Sequence, residues 1–307
     1  MDSTQPKFLP QLPQTPLGSQ RDWIWRGWKV RYTFAHPNAP DETTPHTPLL
    51  LLHGFGSALT QWQENLLPLS QSGSVYALDL IGFGVSEKAS TTYKVGLWVE
   101  QVYEFWRTFV RQPLVLVGHS LGALVALSAA VAHPEMVERL VLITLPAARQ
   151  ELLPLWLQPV VATVEGLFTT PLLVKPLFQV ILRPNVIRAV LRKVYVNQER
   201  VTETLIEGFL TPGLDRGAAR AFCRLAQART QTDFSRATKE LLQEAQVPIL
   251  LLWGEQDRVI PLSWGKQLAE GLGSQLTLVE IPDAGHCPYD ECADRVNAEI
   301  LDWLRVR

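Results

Sequence analysis

Short, uninterrupted apolar runs recur along this chain, spaced so that a helix can stand between one and the next. Residues 49–53 (LLLLH), 75–78, 114–117, 140–143, 249–253 and 276–281 are continuously apolar or nearly so, the mark of strands covered on both faces. Helical patterns fill residues 59–69, 96–110, 121–132, 262–271 and 291–305. Strands alternating with helices at this spacing imply right-handed crossovers and a mostly parallel central sheet flanked by helices, an α/β fold. Residues 24–34 (IWRGWKVRYTF) alternate instead, as a hairpin does. One stretch carries no strand signal: residues 149–246 show only helical patterns, interrupted by Pro154, Pro159, Pro171, Pro176, Pro184 and Pro212. Within it, residues 152–182 hold just two charges, Glu165 and Lys175. The expected organisation is a proline-rich tail at 1–21, an α/β core made of 22–148 and 247–307, and an inserted helical cap at 149–246 with an apolar inner face.

Composition narrows the partners. The chain has 307 residues, 47% of them hydrophobic, and 28 Lys+Arg stand against 30 Asp+Glu for a net charge of -2. Such a chain can bury a large core, and it lacks the basic excess that grips a phosphate backbone, so no nucleic-acid partner is expected. Residues 112–134 contain no Asp, Glu, Lys or Arg, but they divide into a strand, a glycine-punctuated turn and an alanine-rich helix rather than one span. The first twenty residues have no apolar run of the signal-peptide kind. Three cysteines, Cys223, Cys287 and Cys292, form no disulfide framework, which favours a reducing compartment, the cytoplasm.

The chemistry concentrates in loops that follow strands. Gly118-His119-Ser120-Leu121-Gly122 is a G-x-S-x-G turn between an apolar strand and a helix. Such a turn thrusts its serine out above the sheet and sets the next amide, that of Leu121, at a helix N-terminus. A serine hydroxyl needs a base, and the base needs an orienting acid. Asp257 follows the strand at 249–253, with Glu255 as the fallback acid, and His286 follows the strand at 276–281. The order is therefore Ser120, Asp257, His286. His53-Gly54-Phe55-Gly56 ends the first buried strand, and the Phe55 and Leu121 amides are nominated as the pocket for a developing oxyanion. Duller readings suffice elsewhere: His36 and His46 as solvated, His133 as a helix cap, His119 and Cys287 as packing, and Asp79 as part of a structural loop. Trp62 either lines the pocket or staples the first helix.

These motifs together resemble the α/β-hydrolase fold superfamily: HGFG at 53–56, DLIGFGVS at 79–86, GHSLG at 118–122, GEQD at 254–257 with Pro261, and Gly285-His286. The resemblance extends over about residues 22–305, with the insertion as the family's variable cap. Residues 93–105 (YKVGLWVEQVYEF) further resemble plastid and cyanobacterial hydrolases of the pheophytinase type, which remove phytyl from chlorophyll breakdown products. The serine turn differs from that subgroup's, with His119 where an asparagine stands and Ala123 where a glycine does.

What the resemblance implies is specific. A serine at position 120, where epoxide hydrolases and haloalkane dehalogenases of this fold carry aspartate, points to attack on a carbonyl. The first expectation is hydrolysis of a carboxylic ester with an apolar acyl or alkyl group, such as a phytyl or prenyl ester. C–C bond hydrolysis, cofactor-free perhydrolase or haloperoxidase chemistry, acyl transfer and a non-catalytic binding module are the alternatives. No cofactor or metal is called for. Trp156, Phe168 and Phe178 are the cap residues expected against the substrate, while Arg183, Arg188, Arg192 and Lys193 form either a solvated face or a peripheral membrane contact through the cap.

Overall fold

The computed structural model describes residues 17–37, 47–152, 171–270 and 272–305. Its centre is an eight-stranded sheet in the order β1-β2-β4-β3-β5-β6-β7-β8. The strands are β1 (Ser19–Trp25), β2 (Trp28–Ala35), β3 (Leu49–Leu52), β4 (Val75–Leu78), β5 (Leu114–His119), β6 (Val137–Ile143), β7 (Ile249–Gly254) and β8 (Leu276–Ile281). β1 and β2 form an antiparallel hairpin and β2 joins β4 antiparallel; every pairing from β4 through β8 is parallel. The fold is the mostly parallel α/β architecture expected from the strand and helix alternation.

The unbroken apolar runs have a direct cause. Leu50 and Leu52 of β3, with Leu114 and Leu116 of β5, pack on one face against Trp98, Val102 and Phe105 of α2 (Val95–Phe105) and Leu124 of α3 (Leu121–Ala132). Leu49, Leu51, Val115 and Val117 point the other way, towards Leu66 of α1 (Gln63–Leu69) and Val296 and Ile300 of α12 (Ala293–Arg305). Successive residues of a strand alternate between faces, so a sheet buried on both sides demands apolar side chains at every position. Helix α3 is itself buried almost all round, because it lies between the sheet and further helices and can tolerate no polar stripe.

Between β6 and β7 the described residues form helices only: α4 (Arg149–Leu152), α5 (Pro171–Ile181), α6 (Pro184–Val194), α7 (Glu203–Gly213), α8 (Ala218–Arg229) and α9 (Thr238–Glu244). Then come α10 (Leu262–Glu270) and α11 (Pro288–Glu291). Trp156 and Phe168 lie outside the described residues. No described helix is long and apolar enough to cross a membrane.

Three boundaries differ from the sequence expectation. Ser19, Gln20 and Arg21, read as the end of the tail, pair with Phe34, Thr33 and Tyr32 in β1. Their side chains are exposed on an edge strand, so no apolar alternation marked them. The helix expected at 96–110 ends in a wider turn over Trp106–Val110. The one expected at 291–305 breaks at Cys292 into α11 and α12.

Core and rim positions should respond differently to truncation. Leu50→Ala, at a fully buried position of β3, is expected to cost about 2–5 kcal/mol. Leu214→Ala, at a site 74% exposed, should stay within about 0.5 kcal/mol. Urea midpoints of the two variants measure the contrast.

Candidate active site

The loops at the carboxyl ends of β3, β5, β7 and β8 converge on one cavity of about 1120 Å3. Ser120 stands between β5 and α3 in a strained conformation, φ 50 and ψ -114, rare for a residue with a side chain. The turn is forced by close packing. A Cβ at Gly122 would lie 2.2 Å from the Leu52 carbonyl oxygen of β3, and one at Gly118 would lie 2.3 Å from the Gly122 carbonyl oxygen. Only glycine permits these approaches. The Ser120 N–H donates to Ile143 of β6 at 2.9 Å, so the serine is held on two sides. As the first residue of α3, Leu121 has an amide with no acceptor inside the helix.

His286 and Asp257 are brought together from the ends of β8 and β7. Nδ1 of His286 is 2.9 Å from Oδ2 of Asp257, and their side chains are 10% and 0% exposed. The other carboxylate oxygen, Oδ1, accepts the N–H groups of Val259 at 2.7 Å and Ile260 at 2.9 Å. A carboxylate taking two backbone amides is an acceptor only, so His286 carries its proton on Nδ1 and leaves Nε2 free to accept one. Glu255, the fallback acid, is exposed. Ser120, His286, Phe55 and Leu121 all line the cavity, as does Phe178 of α5.

Several side chains that spacing did not single out complete the site. His119 is buried; its Nε2 lies 2.8 Å from the His286 carbonyl oxygen, and burial holds its pKa well below the ordinary value. Neutral, it donates from Nε2 and leaves Nδ1 for the Tyr289 hydroxyl, 3.4 Å away. Tyr289 also donates to Gln61 at 3.0 Å, Gln61 donates to the Tyr195 hydroxyl at 3.2 Å, and Tyr195 donates to Asp290 at 2.5 Å. Glu291 receives the amides of Gly285 at 2.8 Å, Val196 at 2.6 Å and Asn197 at 3.0 Å. The His286 N–H itself donates to Val194, at the end of α6, at 3.1 Å. The histidine turn is thus tied directly to the helical segment above it.

The remaining candidates have structural places. Asp79 is buried and receives the amides of Leu59 at 2.7 Å and Val85 at 2.6 Å; burial raises its pKa to about 6. His53 accepts the Leu80 amide at 3.1 Å, and burial lowers its pKa to about 4. Trp98 and Gln101, from the stretch at 93–105, bind the backbone of Asp79 and Ile81 and so clamp the loop after β4. Trp62 stacks on Tyr289 with centroids 4.3 Å apart and is a staple. His133 caps α3 and stacks on Tyr103. Cys287 is buried, and burial pushes its thiol pKa up. Among the described residues, no three of His, Cys, Asp or Glu are grouped to hold a metal ion.

With this geometry in place, likeness to known proteins can be stated. The sequence model of the alpha/beta hydrolase family matches residues 49–299. The chain is 26% identical to the chloroplastic pheophytinase of Arabidopsis thaliana, covering 99% of this chain and 71% of that protein. It is 29% identical to the dihydrolipoyllysine-residue acetyltransferase component of the acetoin cleaving system of Pseudomonas putida, covering 84% of this chain and 64% of that one. The chain therefore spans just under two thirds of the latter protein's length. Among solved structures, a bacterial membrane phospholipase A superposes with a TM-score of 0.73 at 26% identity, covering 95% of this chain and 88% of that one.

The pKa shifts of Asp79 and His53 oppose each other. Folded Asp79 binds a proton more readily than the unfolded chain, so its contribution is lost as pH rises from about 3.8 through about 6. Folded His53 binds one less readily, so its contribution is lost as pH falls from about 6.5 through about 4. Asp79→Asn leaves an amide group facing a backbone N–H and is expected to cost about 1–3 kcal/mol. It also removes the falling slope, so stability of the variant should climb more steeply than wild type between pH values of about 4 and 6. Urea titrations across that range test this; parallel curves would contradict it.

Proposed function

This chain belongs to the alpha/beta hydrolase family, and on that premise we propose that it is a serine hydrolase cleaving carboxylic esters with an apolar acyl or alkyl group. The observation that carries the reading is one cavity holding both a strained, partly exposed Ser120 and a His286 whose far nitrogen is 2.9 Å from a buried carboxylate. Ser120 Oγ attacks the ester carbonyl while His286 Nε2 takes its proton, and Asp257 holds the imidazole and stabilises the imidazolium. The oxyanion of the tetrahedral intermediate is received by the amides of Phe55 and Leu121, a pair worth about 3 kcal/mol or more in the transition state. His286 then returns the proton to the departing alkoxide, leaving an acyl-enzyme on Ser120. A water molecule, deprotonated by His286, releases the acid and restores the serine.

The apolar substrate class is supported by the cavity itself. Phe83, Phe55, Phe222 and Phe178 form a connected aromatic wall, with centroid separations of 5.5, 6.5 and 5.0 Å along the series. The volume, about 1120 Å3, can hold a long alkyl chain. A phytyl or prenyl ester is the finer version of the proposal, supported by the pheophytinase likeness. Residues 149–246, with Phe178 on the inner side, are assigned as the cap, and the cytoplasm is its place of action. An acyl-transfer outcome, favoured by the acetyltransferase likeness, would show as a new ester when an acceptor alcohol is added.

A fluorophosphonate probe is expected to label wild type and not Ser120→Ala; equal labelling would overturn the assignment. Asp257→Asn should lower kcat on a long-chain ester by about 10^3–10^4, whereas Glu255→Gln should leave it unchanged.

Peripheral membrane contact through the cap belongs to the same proposal. Leu177, Val180 and Val190 are 51%, 41% and 53% exposed, on helices that also bear exposed Arg183, Arg192 and Lys193. Wild type should sediment with vesicles of anionic lipid, and Val190→Glu should stay in the supernatant.

A further inference from the structure

The cavity beside Ser120 has a sign of charge that ester cleavage alone does not require. Among its described lining residues are the cations Lys88, Arg149 and Arg229, and none of those residues is Asp or Glu. Positive charge beside apolar walls loses hydration, and it is tolerated where a counter-charge is supplied. For Lys88 the protein supplies one: Nζ donates to the carbonyls of Gly84 at 2.6 Å and Ser86 at 2.9 Å and pairs with Asp215 at 3.1 Å. Near Arg149 in sequence the acid is Glu151, but its carboxylate receives the amides of Ala148, Thr238 and Lys239 at 2.7, 2.9 and 2.9 Å.

Arg229 occupies the informative position. Its guanidinium lies over the ring of Phe55, 4.7 Å from the centroid. Phe55 belongs to the loop after β3 whose amide faces the cavity, so this charge stands one aromatic ring away from that loop. A planar guanidinium can stack on a ring and still present its N–H edge to two carboxylate oxygens. The side chain is exposed and lines the cavity, so a ligand can reach it without displacing any part of the core.

We propose that the ester taken by this cavity carries a carboxylate in addition to its apolar group, and that Arg229 receives this carboxylate, with Arg149 adding to the attracting field. The inference rests on the reading of the cavity as the ester site. It narrows the substrate from apolar esters in general to apolar ester acids, in which an alkyl or aromatic portion lies along the phenylalanine wall and the acid is turned to the arginine.

Calorimetry on Ser120→Ala, which can hold an ester without cleaving it, tests this with two probes. Methyl octanoate and monomethyl suberate have the same chain length and differ in the terminal carboxylate. The acid is expected to bind about tenfold more tightly than the neutral ester at low salt, the contribution of a charge-assisted hydrogen bond. That advantage should shrink as ionic strength rises. It should vanish in Ser120→Ala/Arg229→Gln and return in part in Ser120→Ala/Arg229→Lys. Equal binding of the two probes to Ser120→Ala would overturn the proposal, as would an advantage that survives Arg229→Gln. If Arg229→Gln does not fold, an advantage that is insensitive to salt in Ser120→Ala overturns it instead. The measurement reads binding with the nucleophile removed. A wild type that turns over no ester would therefore sink the hydrolase reading while leaving this result to stand or fall by itself.

Discussion

The contact between the end of β3 and the start of α3 governs everything built above the sheet. Gly122 sits so close to the Leu52 carbonyl oxygen that a Cβ would come within 2.2 Å. Because the helix is pressed onto the strand there, the chain between β5 and α3 must turn sharply, and Ser120 absorbs the turn at φ 50. The strain is sustained by the surrounding core, since Val117, Leu142, Ile143 and Leu52 are all fully buried. The same proximity sets the amide of Leu121 and the loop bearing Phe55 on one cavity with the serine.

A second constraint concerns the histidine. His286 lies in a turn between β8 and α11 and is held from three directions: by Asp257 through Nδ1, by His119 through its carbonyl, and by Val194 through its N–H. The last hold comes from the helical segment and is reinforced by Glu291, which joins Gly285 to Val196 and Asn197. Buried hydrogen bonds of this kind are costly to leave half-made. The segment after α6 and the histidine turn are therefore linked in energy as well as in space. Tyr195, through Gln61 and Tyr289, extends the link to the loop after β3 and to His119.

The cavity combines two physical characters. Its aromatic wall favours apolar groups by burial, in proportion to area and with little directional demand. Its cations act by direction and by sign, and their field is stronger where apolar walls exclude water. Binding by the first gives affinity for many esters; discrimination among them falls to the second.

Much of this was legible in the chain. The buried strands announce themselves because a sheet covered on both faces excludes polar residues from every position, and the serine turn because two glycines flank the serine at the spacing such a packed turn needs. The edge strand residues Ser19–Arg21 gave no such signal, because pairing through the backbone needs no apolar side chain. Asp257 and Glu255 could not be separated by chain order, since both follow the same strand; burial and the 2.9 Å contact to His286 distinguish them. Gln61, Tyr195, Tyr289 and Glu291 were invisible, because their partners lie up to 228 residues away in sequence and a hydrogen bond between side chains leaves no periodicity. Sequence alone thus determines what repeats locally, the burial of strands and the stiffness of turns, through steric and hydrophobic rules that act between neighbours. Which distant polar groups meet, and what charge the cavity presents, is decided only when the sheet closes the distances between them.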